Sequence, residues 1–315
     1  MILVTGGLGF IGAHTVRALL DMSQQCVIAT RTARTPPDFL ARVSPRDLVA
    51  EQADCSRLED LLEAGKRHEI TGIVHLAAAP LRHGSPLDSL EENLLAFLTV
   101  LRAARQWGIG RVVQASTIGV YGGVTAEVYR EDLPLPVESE HPLQAYKKAA
   151  EILGAIVAAT EDLQVVSVRI GAIWGPLGRE RSPFFAAPQL VHAAVRGHSN
   201  AVNPPPYAGD GIDMLYAPDC GRAIALLQTA ATLHHQTYNI AGGRVTTNRE
   251  VSDAIAHVAG GPMPVLADGR SPGAPVADAY LDISRLRADT GFEARYDLQA
   301  AITDYVRWLR AGHPR

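Results

Sequence analysis

Three glycines near the start of the chain have the spacing of a phosphate-binding turn. Gly6, Gly9 and Gly12 follow the apolar residues 2–4 and lead into residues 13–20, which have helical periodicity. In such a strand–turn–helix context the backbone can approach a pyrophosphate, whose charge then lies at the helix N-terminus. The pattern predicts a dinucleotide site, and its alternative is an ordinary glycine-rich turn.

The residues after the second predicted strand indicate which dinucleotide is bound. In NAD-selective folds an acidic residue about 20 residues past the glycines binds the ribose 2′-OH. Residues 29–34 contain no carboxylate and two guanidiniums, Arg31 and Arg34. A carboxylate would repel a 2′-phosphate, whereas arginine can bind one through two hydrogen bonds. We therefore expect NADP, with NAD as the alternative if both arginines face solvent.

Alternating strands and helices must position these residues. Strands rich in Val and Ile are predicted at 2–5, 26–30, 48–52, 72–76, 111–115 and 165–169. Helices are predicted near 11–22, 57–67, 88–107 and 143–160. Repeated units of this kind form right-handed crossovers and a parallel sheet that is covered on both faces.

The alternation weakens after Gly175-Pro176, where Pro and Gly cluster between helices near 187–197, 219–230, 248–258 and 298–311. We predict an α/β fold, a doubly wound Rossmann sheet with a smaller C-terminal substrate-binding lobe. The dinucleotide-binding domain would comprise 1–172, with 208–242 returning to it. The lobe would comprise 173–207 and 243–315.

Composition narrows the class of partner. The 315 residues are 47% hydrophobic and 20% charged, with a net charge of −4 and no run of Lys or Arg. This composition is typical of a globular enzyme and disfavours a nucleic-acid or membrane partner. Three scattered cysteines, and histidines without a ligand spacing, predict neither disulfides nor a metal site. The first strand begins at the N-terminus, so we expect no signal peptide and a cytoplasmic protein.

The whole chain resembles the extended short-chain dehydrogenase/reductase family, which includes nucleotide-sugar epimerases and dehydratases. The resemblance rests on the glycine motif 5–12, the motifs 75–79 and 115–122, Gly175-Pro176, 239–243 and the tail motifs 282–284 and 291–292. It implies cofactor contacts by the glycine-motif residues, by two residues after the third strand and by three after the fourth. These residues are Gly6, Gly9, Phe10, Ile11, Gly12, Asp54, Cys55, Leu76, Ala77 and Ala78.

The resemblance also implies the catalytic groups. Thr117, four residues before Tyr121, matches the active-site hydroxyl, with Ser116 as its neighbour, and both are expected to bind the substrate oxygen. Asn93 matches a helix residue that positions the catalytic lysine, and it is also expected among the cofactor-binding residues. Family members place a proton-transferring Tyr four residues before that Lys, hence one helical turn away on the same face.

The Tyr–Lys pair is incomplete in this chain. In 141–151, HPLQAYKKAAE, the Lys four residues before Glu151 is Lys147, and the Tyr position is then Leu143. If Tyr146 is instead the catalytic Tyr, its lysine partner falls on Ala150. We prefer the first register, in which Lys147 binds the cofactor ribose. Either Tyr146 or a substrate-side group then acts as the acid/base, or Tyr146 packs between helices.

Two positions on the substrate side also depart from the family pattern. Ala172 stands where relatives carry an Asn, and Asp213 stands near the expected position of an Arg that holds a diphosphate. A diphosphate facing Asp213 would be repelled. We therefore expect a small-molecule substrate other than a nucleotide sugar, such as a lone sugar, a polyketide or another secondary metabolite.

Three functions fit the sequence. The first is an NAD(P)-dependent oxidoreductase or epimerase/dehydratase with an altered Tyr–Lys pair. The second is a redox-neutral lyase, isomerase or cyclase on the same fold, and the third is a non-catalytic protein that senses NADP(H). The resemblance further implies a homodimer formed through the helices near 88–107 and 143–160.

Overall fold

The computed structural model describes residues 1–32, 34–79, 85–197, 202–259, 263–274 and 278–313. Its strands are β1 (Ile2–Thr5), β2 (Cys26–Thr30), β3 (Leu48–Gln52), β4 (Gly72–His75), β5 (Arg111–Thr117), β6 (Val128–Tyr129), β7 (Gln164–Ile170), β8 (Ala172–Trp174), β9 (Gly211–Tyr216), β10 (Thr237–Ile240), β11 (Val245–Thr247) and β12 (Tyr280–Leu281). Its helices are α1 (Phe10–Asp21), α2 (Asp38–Ala41), α3 (Leu58–Arg67), α4 (Pro86–Trp107), α5 (Pro142–Thr160), α6 (Ala187–Val195), α7 (Ala217–Thr229), α8 (Asn248–Ala259), α9 (Ser284–Thr290) and α10 (Leu298–Arg310).

Seven strands form a parallel sheet in the order β10-β7-β5-β4-β1-β2-β3. The winding reverses between β1 and β4, where Ile2 lies opposite Gly72 and Thr5 opposite His75. The predicted doubly wound α/β fold is thus confirmed. In such sheets ligands bind beyond the carboxyl ends of the strands, at the point of reversal.

Apart from shifts of one residue at strand ends, the sheet differs from the sequence prediction at two places. β5 continues to Thr117, two residues past the predicted end, because β7 pairs with it as far as Ile170. β10 was not predicted; it spans four residues and pairs with β7 at the edge of the sheet.

Both faces of the sheet are buried, which explains why its strands are almost continuously apolar. On one face α1 and α7 bury a cluster that includes Val4, Val16, Leu19, Ile28 and Ile224. On the other face a second cluster includes Leu3, Val27, Ile73, Phe97 and Val100. Each such side chain contributes about 1.5–3 kcal/mol on burial.

A smaller lobe has its own sheet, β11-β9-β8, in which β9 and β11 are antiparallel. Helices α6, α8 and α10 bury a third cluster there, including Leu190, Val191, Ile255, Ile302 and Tyr305. Within the segment predicted to return to the large domain, α7 packs on α1 and β10 joins the large sheet, whereas β9 belongs to the small one. None of the described helices is both long and apolar enough to span a membrane.

Candidate active site and cofactor cleft

A cleft of about 470 Å³ lies at the carboxyl ends of β1, β2, β3 and β4. The turns after these four strands converge there although they are far apart in the sequence. The cleft is lined by ten predicted cofactor residues: Gly6, Gly9, Arg31, Arg34, Asp54, Cys55, Leu76, Ala77, Ala78 and Asn93.

The glycine turn is shaped to receive a pyrophosphate. Gly9 is the N-cap of α1 and offers no side chain, so the first N–H groups of the helix are left for a ligand. A Cβ on Gly12 would lie 2.1 Å from the Gly6 carbonyl oxygen, so only glycine allows this close approach. Phe10, Ile11 and Gly12 begin α1; Phe10 lines a neighbouring pocket, and Gly12 supports the turn from behind. The residues present therefore fit a dinucleotide.

The two arginines after β2 are in different situations. The Arg31 guanidinium forms an ion pair with the Glu92 carboxylate of α4 at 2.5 Å, and Glu92 also lines the cleft. Arg34 is exposed and forms no hydrogen bond or ion pair with any described residue. Arg34 is therefore the guanidinium that remains available to a 2′-phosphate.

Asp54 and Asn93 fix loops that border the cleft. The Asp54 carboxylate accepts hydrogen bonds from the Ser56 N–H and hydroxyl groups, at 2.9 and 2.8 Å. The Asn93 side chain accepts from the Ala79 N–H at 2.9 Å and donates to the Ser89 carbonyl at 2.6 Å. In the described part of the chain Asn93 thus holds the segment after β4 and forms no hydrogen bond with Lys147.

Lys147 is a residue of α5, and its side chain extends to the carboxyl end of β5. Its side chain is 6% exposed, and Nζ donates to the Ala115 carbonyl at 2.5 Å. Burial lowers the pKa of Lys147 to about 8, although the Glu151 carboxylate acts in the opposite direction. Leu143 lies one helical turn before it, where a phenol is expected, and packs against the adjoining core.

Thr117 offers a hydroxyl that can donate. Its Oγ1 accepts a hydrogen bond from the Gly119 N–H at 3.1 Å, and the side chain is half-buried. Because the oxygen already has a donor, its own proton is free to bind a substrate oxygen.

Tyr146 is buried in the core, as expected if this residue packs between helices rather than acting as the acid/base. Its side chain is 2% exposed, and the hydroxyl has no hydrogen-bond partner among the described residues. Its ring lies 4.6 Å from the Lys147 ammonium, and burial raises the phenol pKa above its ordinary value. A buried hydroxyl with a raised pKa is poorly suited to proton transfer near neutral pH.

A buried polar network adjoins Thr117 and includes the hydroxyl of the preceding residue, Ser116. The Ser116 hydroxyl donates to the Glu151 carboxylate at 2.5 Å, so it is not free to bind substrate as expected. Arg169 of β7 binds the same carboxylate at 2.8 Å and donates to the Tyr121 hydroxyl at 2.9 Å. Tyr121 in turn donates to Asn239 at 2.8 Å. Apart from the position of Glu151 in the helix, no sequence pattern predicts this network.

Asp213 does not face the substrate side. It is fully buried in β9 and accepts hydrogen bonds from the backbone N–H groups of Gly242, Gly243 and Leu281, at 2.8, 3.1 and 2.9 Å. Burial raises the pKa of this carboxyl to about 6, and the backbone donors oppose that effect. Asp213 joins β9 to β12 and to the loop after β10, so its carboxylate is already bound by backbone donors and the repulsion of a diphosphate inferred from the sequence does not arise. No cluster of three metal-ligating side chains occurs among the described residues.

Comparisons with known proteins agree with this geometry. The model of the NAD dependent epimerase/dehydratase family matches residues 2–241. The chain is 28% identical to a dTDP-glucose 4,6-dehydratase of Streptomyces griseus, covering 98% of this chain and 93% of that one. It is 26% identical to a UDP-glucose 4-epimerase of Bacillus subtilis, covering 98% and 96%. The crystal structure of the Thermus thermophilus UDP-glucose 4-epimerase in complex with NAD superimposes with a TM-score of 0.76 at 27% identity, covering 98% of both chains.

These comparisons correct the expectation about the substrate. The relatives are named for UDP-glucose and dTDP-glucose, so the prediction that nucleotide sugars are excluded is wrong. Its physical premise also fails, because the Asp213 carboxylate is bound to backbone N–H groups inside the lobe.

Proposed function

Because the chain belongs to the NAD dependent epimerase/dehydratase family, we propose that it transforms a sugar carrying a nucleoside diphosphate by redox-neutral epimerisation or elimination. The observation that carries the proposal is the convergence of ten predicted cofactor residues on one cleft, with Thr117 and Lys147 at the end of the neighbouring strand β5. Relatives named as epimerases and dehydratases support the reaction class.

The proposed cofactor is NADP. Glu92 neutralises Arg31, whereas Arg34 has no partner in the described part of the chain and borders the cleft where an adenosine ribose would lie. Residues 29–34, at the end of β2 and directly after it, contain no carboxylate to receive a ribose 2′-OH. A 2′-phosphate would therefore meet an uncompensated guanidinium, which favours NADP over NAD.

The proposed mechanism assigns one task to each residue of this chain. A bound nicotinamide supplies hydride acceptance and return at the sugar carbon. The Thr117 hydroxyl donates to the substrate oxygen, and the Lys147 ammonium holds the ribose and supplies positive charge. Leu143 cannot exchange a proton, Tyr146 is buried and Ser116 is bound to Glu151. Thr117 is thus the protic group of this set that could reach the substrate. The proton that the sugar hydroxyl loses on oxidation would pass to water, directly or through the Thr117 hydroxyl, and would return from water on reduction, so proton transfer is expected to be slow.

Product analysis tests the proposal. The protein is incubated with UDP-glucose or dTDP-glucose and substoichiometric NADP⁺ or NAD⁺, and the nucleotide sugars are examined by NMR and mass spectrometry. We expect a new epimer or the loss of one water without net reduction of the cofactor. A Thr117→Val variant should lose about a hundredfold in kcat, the usual effect of removing one aligned donor. Unchanged turnover of Thr117→Val, or net cofactor reduction matching product formation, would contradict it.

A further inference from the structure

A second pocket adjoins the cofactor cleft and has a different character. It encloses about 510 Å³ between the glycine turn, the connection after β2 and the segment after β8. It shares Leu8, Gly9 and Arg34 with the cofactor cleft, so the two spaces adjoin at these residues. Neither Thr117 nor Lys147 lines it.

The walls of this pocket are apolar and aromatic. Phe10, Trp174, Leu177 and Phe185 line it, and Phe184 at its mouth is 81% exposed. One lining residue, Leu177, has an unusual backbone conformation, with φ +69° in the left-handed region. This conformation costs a non-glycine residue free energy. The carbonyl of the preceding Pro176 bonds His14 of α1 at 2.9 Å, which anchors this segment to the large domain.

Three guanidiniums border the pocket, and no carboxylate does. Arg34, Arg179 and Arg181 form no hydrogen bond or ion pair with any described residue. The carboxylate between the last two, Glu180, is bound by both terminal nitrogens of Arg196, at 2.7 and 2.9 Å. If Arg34 binds the cofactor, Arg179 and Arg181 remain as two guanidiniums without a partner among the described residues, at one apolar pocket of a chain whose net charge is −4.

We propose that this pocket binds a small anionic ligand with a planar apolar body, such as an aryl phosphate, at the same time as the cofactor. Arg179 and Arg181 would bind the anion, and the aromatic walls would cover the flat body. The volume is within the range of small-molecule sites, and mixed apolar walls with a few convergent charges are their usual composition. The chemistry of this pocket is independent of the reaction proposed above.

Calorimetric titration with 1-naphthyl phosphate tests the site. We expect saturable binding that Arg179→Ala/Arg181→Ala weakens at least tenfold. The matched control Arg42→Ala/Arg46→Ala, which removes two exposed arginines elsewhere, should change the dissociation constant less than twofold. 1-Naphthol has the aromatic ring without the anion, and inorganic phosphate has the anion without the ring. Each should bind at least tenfold more weakly than 1-naphthyl phosphate.

Competition with the cofactor shows whether the arginines of this pocket bind a separate anionic ligand or the 2′-phosphate of NADPH. If saturating NADPH and saturating NADH both leave naphthyl phosphate binding within threefold, the two sites are distinct as proposed. If NADPH abolishes binding while NADH does not, the arginines serve the 2′-phosphate and the proposal is overturned. Equal weakening by the test and control variants, both checked for unchanged thermal unfolding, also overturns it.

Discussion

Replacing Leu143 by Tyr should supply the phenol that the family resemblance predicts four residues before Lys147. Residues four apart on a helix have Cβ atoms about 5–6 Å apart on the same face, so the new phenol would lie close to the Lys147 ammonium. At about 6 Å and an effective dielectric constant of about 20, that charge stabilises a phenolate by about 2.8 kcal/mol, or about two pKa units. A phenol adjusted in this way is an effective acid at neutral pH. General acid catalysis contributes about 10²–10⁴ in rate.

The assay follows NADPH absorbance during reduction of a 4-keto nucleotide sugar at pH 7. Leu143→Phe is the matched control, since it adds the ring without the hydroxyl and carries the same packing cost of about 1–3 kcal/mol in this half-buried position. We expect Leu143→Tyr to exceed Leu143→Phe at least a hundredfold in kcat, and Lys147→Met to remove most of that gain. Equal rates for the Tyr and Phe variants, with both folded and binding NADPH, would refute the argument.

Four further predictions follow from particular contacts. Arg34→Ala should weaken NADPH binding about tenfold and NADH binding less than twofold in a fluorescence titration; equal losses would show that Arg34 does not read the 2′-phosphate. Tyr146→Phe should leave kcat within twofold and should not lower the free energy of unfolding, because the buried hydroxyl it removes has no partner; a tenfold loss of kcat would return Tyr146 to the mechanism. Glu151→Gln should cost about 3–5 kcal/mol in urea unfolding by leaving the buried Arg169 unpaired, and a loss below 1 kcal/mol would show that the pair is replaceable. Ile156→Glu should yield monomers in light scattering, because Ile156 is 57% exposed on the α5 helix expected to form a dimer; an unchanged molar mass would exclude this face.

The fold and the cofactor cleft were predictable because their signals are local. The glycine spacing of residues 6–12 needs only the preceding strand and the following helix to be interpreted, and β1 and α1 lie where the sequence places them. Short Val- and Ile-rich strands between helices identify a parallel sheet without knowledge of any distant contact.

The errors arose where a side chain's partner is distant in the sequence. From the sequence, Asp213 was expected to be a charge near the substrate. In the structure its carboxylate accepts a hydrogen bond from Leu281, 68 residues later. Ser116 was expected to be a second hydroxyl for the substrate. In the structure its hydroxyl donates to the carboxylate of Glu151, 35 residues later. For Tyr146 the sequence left two roles open, and only packing against the sheet and α4 shows that its hydroxyl is buried.

The network behind Thr117 explains how the site keeps its shape without the phenol. Glu151 lies on the same helix as Lys147 and binds both Ser116, which precedes Thr117, and Arg169, which reaches Tyr121 after it. The segment that carries Thr117 is therefore tied at both ends to the core, and none of these bonds involves position 143. On the register proposed here, Leu143 supplies no proton carrier, while the contacts around Thr117 and Lys147 do not depend on it. A slow enzyme with intact binding is the outcome that this arrangement predicts, and binding should respond to Arg34 while turnover responds to position 143.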